Sequence, residues 1–189
     1  MAAASAERYD QPFPPGKRPN RLAAQPNHVA HKPPGLTVEL EILVDVETPE
    51  GLDIDRLGEL IRFALLAEKA TGPWAVSVLL TGDERIRQLH RDFMSVDTAT
   101  DVMTFPFSDE ECDLDEPAGG DIVISVERAG DQAAEFGLTL TDEIRFLVLH
   151  GVLHLSGWDD ATAADRAEML EWQTTLLRAF DTGGRNFGR

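Results

Sequence analysis

"TDEIRFLVLHGVLHLSGWDD", residues 141–160, decides how the rest of the chain must be arranged. Asp142 and Glu143 stand where a helix N-terminus favours negative charge. From Ile144 onward Phe146, Leu147, Val148, Leu149, Val152, Leu153 and Leu155 leave almost no polar face. A helix over 141–155 with that composition has to be buried, at the centre of the molecule. Gly157 stops it. Into this apolar cylinder the sequence places two of the chain's five histidines, His150 and His154. Four residues advance a helix by about 6 Å and about 400°, so both imidazoles leave the same face and can reach one metal ion. Beyond the turn at Gly157, Asp159 or Asp160 can bring a carboxylate to the same point. Two histidines and a carboxylate leave coordination positions open for water and substrate, as catalytic rather than structural centres do. The competing reading is a pair of core histidines bonded to backbone carbonyls, with the aspartates capping the next helix. The spacing, the glycine and the carboxylates together favour metal. Gly151 occupies the position where helical zinc peptidases carry their glutamate base, which argues against a standard enzyme of that class.

Working outward, "LTVELEILVDV" (36–46) alternates apolar and polar residues, the pattern of a strand with one buried face. Ile54, Leu57, Leu60, Ile61, Ala64 and Leu65 recur at helical spacing until "ATGP" stops them. Trp74, Val76, Val78 and Leu80 form a second strand. Gly82 and Asp83 open a short helix with Ile86, Leu89 and Phe93 on its apolar side and Arg85, Arg87 and Arg91 on its polar side. "TDVMTFPF" (100–107) reads as a third strand, with Pro106 marking an edge or an end. The acidic run "SDEECDLDEPAGG" reads as solvated loop, and "GDIVISV" (120–126) as a fourth strand. A helix from about 127 to 136 ends at Gly137. The final amphipathic helix, about 162 to 180, turns Met169, Trp172, Leu176 and Leu177 inward. The order β-α-β-α-β-β-α-α-α predicts one α/β (α+β) domain over residues 36–182. In it a mixed sheet of about four strands packs with about five helices around the buried, metal-binding one.

Composition limits what such a domain can do. A chain of 189 residues with 42% hydrophobic and 27% charged content supports one core. Residues 1–35 hold seven of the eleven prolines and predict a disordered tail, and residues 183–189 a short flexible end. Cys112 is the single cysteine, which excludes a disulfide framework and points to a reducing, cytoplasmic setting. No apolar run approaches the roughly 18 residues of a membrane span, so no membrane partner is expected. The net charge of −17 is uneven: residues 1–35 carry five basic side chains against Glu7 and Asp10, leaving 12 basic against 32 acidic in the remainder. That surface repels phosphate backbones at long range.

"HGVLHLSGWDD" (150–160) resembles the signature of the YbeY family, bacterial endoribonucleases and ribosomal RNA maturation factors. "LHRDFMSVDTATDVMTFPF" (89–107) and "GGDIVIS" (119–125) are similar to that family's second and third blocks, and the resemblance spans about residues 36–180. It implies a metal-dependent α/β fold, an ion usually assigned as zinc, cleavage of single-stranded RNA, and a role in small-subunit ribosomal RNA 3′ end maturation and ribosome quality control. It also implies ribosomal RNA, the small ribosomal subunit and a ribosomal protein or assembly GTPase as partners. Carried onto this chain, the ligand positions are His150, His154 and Asp160. The third is a histidine in the usual pattern; an aspartate oxygen is a harder donor, which brings iron or manganese into range beside zinc. Asp159, Thr100 and Asp101 are candidates for orienting a ligand or lining the cleft. Many members carry an RNA-facing arginine after the aromatic of the second block, where this chain has Met94 after Phe93. Arg85, Arg87 and Arg91 are the candidates to replace it. Two further readings stay open: a non-nucleolytic ribosome assembly factor that retains the metal, and a metallohydrolase of a small substrate.

Overall fold

A computed structural model describes residues 35–107 and 117–183. Nearly all of the tail expected over 1–35, most of the acidic run including Cys112, and residues 184–189 lie outside the described residues. The elements follow the expected order: β1 (Thr37–Val44), α1 (Ile54–Ala67), β2 (Pro73–Thr81), α2 (Asp83–Met94), β3 (Val102–Pro106), β4 (Ala118–Ser125), α3 (Val126–Phe136), α4 (Leu140–Leu155) and α5 (Ala163–Asp181). They form a single α+β domain around a four-stranded mixed sheet ordered β1-β2-β4-β3. The first three strands in that order run parallel, and β3 pairs antiparallel with β4.

The alternation in β1 exists because only one face of that edge strand is covered. Val38, Leu40, Ile42 and Val44 turn toward the main core, while Thr37, Glu39, Glu41 and Leu43 are exposed. The Ile122–Ile124 stretch of β4 instead reads as an unbroken apolar run because both faces of the strand are buried there. Ile122 and Ile124 join the main core with α1, α4 and α5, whereas Val123 joins Ile86 and Met103 in a smaller cluster beneath α2. Pro106 is the last residue of edge strand β3, where a missing backbone donor is tolerated. Phe93, expected on the inner side of α2, is 67% exposed. It meets Phe105 of the edge strand edge-on, with ring centroids 4.9 Å apart. No helix among the described residues is long and apolar enough to cross a membrane.

Thr139 caps α4, its hydroxyl accepting from the Asp142 N–H at 3.1 Å. From there the helix is buried from Glu143 to Leu153 except at Arg145, which is partly exposed. Its close seat on the sheet explains Gly151. A Cβ added there would lie 2.7 Å from Ile122 Cγ2, with two more Ile122 carbons within 3.0 Å. The position that carries a base in zinc peptidases is here pressed against β4. Gly151→Ala is expected to destabilise the domain by about 1–3 kcal/mol through overpacking, despite alanine's better helix propensity. Urea unfolding of Gly151→Ala alone and combined with Ile122→Ala checks this: the double variant should show a favourable coupling between the two sites.

Candidate metal centre

Helix α4 supplies two of the three groups. His150 is 1% exposed and His154 half-buried, one turn apart on the same face. After Leu155 the chain reverses. Gly157 takes φ +91°, its N–H donates to the His154 carbonyl at 2.9 Å, and the Trp158 N–H donates to the Leu153 carbonyl at 3.0 Å. A positive φ suits glycine, which lacks a Cβ. This reversal carries Asp160 back to the helix, where it is 1% exposed. One ligand atom from each of His150, His154 and Asp160 lies within 4.8 Å of the others.

The hydrogen bonds behind the rings determine which nitrogens face inward. Gln173 donates its Nε2 to the Phe146 carbonyl at 2.8 Å, which turns its Oε1 toward His150 Nδ1 at 3.2 Å. That oxygen can only accept, so Nδ1 carries the proton and Nε2 keeps its lone pair. The Trp158 backbone carbonyl does the same for His154 Nδ1 at 3.0 Å. The two Nε2 atoms consequently face each other at 3.0 Å with their rings nearly perpendicular. Burial pushes the His150 pKa down to about 3, helped by the neighbouring His154 and opposed by the Gln173 hydrogen bond. Burial also lowers the His154 pKa, opposed by Asp160, the Trp158 carbonyl and Asp159. A proton shared between the rings is therefore disfavoured. Burial raises the Asp160 pKa, against the pull of His154 and Arg166. Neither oxygen of that buried carboxylate has a hydrogen-bond partner. Two inward lone pairs and a buried carboxylate lacking a donor are each costly alone and are jointly satisfied by a cation. Tetrahedral zinc with bonds near 2.0–2.1 Å places its ligand atoms about 3.3 Å apart, close to the spacing of the two imidazole nitrogens. The residues present fit a metal ion.

The other candidates lie elsewhere. Asp159 Oδ1 accepts from the Ala161 N–H at 3.1 Å and so caps the turn before α5. Asp101 Oδ1 accepts from the Thr100 hydroxyl and the Val102 N–H at 3.0 and 2.9 Å, while its Oδ2 accepts from Gln132 at 2.9 Å. Thr100 and Asp101 thus fasten the start of β3 to α3. On α2, Arg87 and Arg91 both engage Asp97, at 2.8 and 3.5 Å, and Arg85 lies 3.4 Å from Gln88. None of these residues belongs to the ligand cluster.

Sequence reasoning missed Gln173 and the Trp158 carbonyl. The glutamine did leave a trace: it interrupts the inward stripe of Met169, Leu170, Leu176 and Phe180, where a fully buried polar residue needs a partner. Gln173→Leu is expected to weaken zinc binding about 10–100-fold by releasing the His150 ring. Calorimetric titration of the metal-free variant measures this.

The fold and this cluster define a class: a single-domain α+β protein whose central helix presents two histidines to a buried carboxylate. The family model described as Endoribonuclease YbeY matches residues 47–181, and the chain belongs to that family. A relative from Geobacillus thermodenitrificans, named Endoribonuclease YbeY, is 34% identical over 152 residues, covering 77% of this chain and 97% of its own length. Another of that name, from Moorella thermoacetica, is 40% identical over 133 residues, covering 66% and 84% respectively. The solution structure of a Thermotoga maritima protein aligns with a TM-score of 0.52 at 28% identity, covering 77% of this chain and 91% of that one.

Proposed function

We propose that this chain is a metal-dependent endoribonuclease that cuts single-stranded RNA and acts in the cytoplasm in small-subunit ribosomal RNA 3′ end maturation and ribosome quality control. The observation that carries the reading is the convergence of His150, His154 and Asp160, with ligand atoms within 4.8 Å of one another. Relatives named endoribonucleases support RNA as the substrate. The three side chains would hold one zinc ion per chain, with iron or manganese also suited to the aspartate oxygen. When bound, such an ion supplies Lewis-acid polarisation of a phosphoryl oxygen and lowers the pKa of coordinated water.

The protein's own part is positional. Gln173 and the Trp158 carbonyl keep a proton on each Nδ1, so both Nε2 atoms stay turned to the site without rearrangement. Asp160 brings the negative charge that offsets a cation. His150 and Asp160 are sealed from solvent and His154 is only half-buried, so substrate reaches the centre past His154. Ribosomal RNA within the small ribosomal subunit is the proposed partner, with a ribosomal protein or assembly GTPase as a second contact. Purified protein should cut an unstructured RNA oligonucleotide, stop when the ion is chelated, and resume when zinc, iron or manganese is restored. Cleavage that persists in protein verified to be metal-free would contradict this reading.

One observation favours a second reading, that of a non-nucleolytic assembly factor retaining the metal. Arg87 and Arg91 are both engaged by Asp97, on a domain rich in acidic groups. Such a surface suits a basic ribosomal protein better than bare RNA. Full metal loading and small-subunit binding without RNA cleavage would select it.

A further inference from the structure

Two of the chain's three tryptophans, Trp158 and Trp172, converge on one carboxylate at the far end of α1. Glu68, the C-cap of that helix, accepts from Trp158 Nε1 through Oε2 at 2.9 Å and from Trp172 Nε1 through Oε1 at 2.5 Å. The two indoles are not equivalent bystanders. Trp158 provides the backbone carbonyl that holds the His154 proton, and Asp160 follows two residues later on the same reversal. Trp172 immediately precedes Gln173, whose oxygen holds the His150 proton. A single side chain, 90 residues from one indole and 104 from the other, thereby ties together both acceptors behind the imidazole pair.

We propose that Glu68 is a positioning residue for the metal centre: its carboxylate, clamped between two indole N–H groups, sets the separation of the Trp158 reversal and α5 and so the aim of all three ligands. The inference rests on the metal-site reading above. A carboxylate is suited to the task because it offers two acceptor oxygens and no donor, whereas an amide must turn its NH2 toward one indole. A charged acceptor also forms the stronger bond to each N–H.

The test uses the full chain, made metal-free, with Zn2+ affinity measured by competition titration and ligand geometry read from the absorption bands of the Co2+ form. Glu68→Gln is expected to weaken Zn2+ binding about 10–100-fold and to alter the Co2+ bands while the metal-free far-UV circular dichroism stays that of wild type. Trp158→Phe, which removes the indole N–H on the ligand-bearing reversal together with part of the ring's bulk, should reproduce much of this loss. Adding Glu68→Gln to Trp158→Phe should then cost less than it does in wild type, as expected of two residues acting in one chain of contacts. Wild-type affinity and unchanged Co2+ bands in Glu68→Gln and Trp158→Phe would overturn the positioning role while leaving the site itself standing. Absence of Zn2+ binding by wild type would overturn the site, and this proposal with it.

Discussion

Alanine in place of His150 is expected to abolish stoichiometric ion binding and to lower RNA cleavage by about 10³-fold or more. The loss exceeds the 10–100-fold typical of removing an outer hydrogen-bond partner, because a donor atom itself disappears. The Gln173 oxygen, 3.2 Å from the ring in the intact protein, is left facing a void. That unsatisfied buried group should destabilise the metal-free domain by about 1–3 kcal/mol. The main core, which runs from α1 through the sheet to α5, is otherwise intact and should keep the variant folded. Two measurements check the account. Zinc at about 100 times its Kd should stabilise wild type by about 2.7 kcal/mol and leave His150→Ala unmoved. Cleavage of the same RNA should fall in parallel.

Asp160→Asn should move stability in opposite directions depending on the ion. In the metal-free protein, Asp160 is a buried carboxylate whose oxygens both lack a hydrogen-bond donor, and burial raises its pKa. Removing the charge relieves that penalty, so the metal-free melting temperature should stay level or rise, by an amount corresponding to about 1 kcal/mol or more. The same substitution withdraws the one anionic ligand from the set. Zinc affinity should fall by at least about 100-fold, and RNA cleavage with it. Thermal unfolding with and without zinc reads both signs in one experiment. An asparagine variant less stable than wild type without metal, yet equally stabilised by zinc, would show that Asp160 is a structural residue and no ligand.

The legibility of this chain follows from the range of the interactions involved. Helix α4 was readable because its burial is written in its own composition, and the histidine pair because four residues is a local spacing. β1 announced itself by alternation, having one covered face. The polar contacts that aim the ligands carry no such local mark. Gln173 reaches His150 across 23 residues and Glu68 reaches Trp158 across 90, and neither distance has a periodicity. The arginines of α2 illustrate the converse: their spacing marked a basic face, but Asp97, arriving after the helix has ended, engages two of the three. Phe93 shares the stripe of Ile86 and Leu89 yet remains exposed, because the sheet beneath it ends at β3. Between Asp159 and Asp160 the residues alone allowed either carboxylate. The backbone reversal at Gly157 brings Asp160 into the cluster and sets Asp159 on the following turn.

The most direct measurement is the metal content of the purified chain after reconstitution with zinc and removal of loosely held ions, determined by elemental analysis beside His150→Ala and His154→Ala. One ion per wild-type chain, and essentially none in either variant, is the predicted outcome. Wild type that retains no stoichiometric transition metal, or alanine variants that retain as much as wild type, would contradict the claim that these side chains form a metal centre.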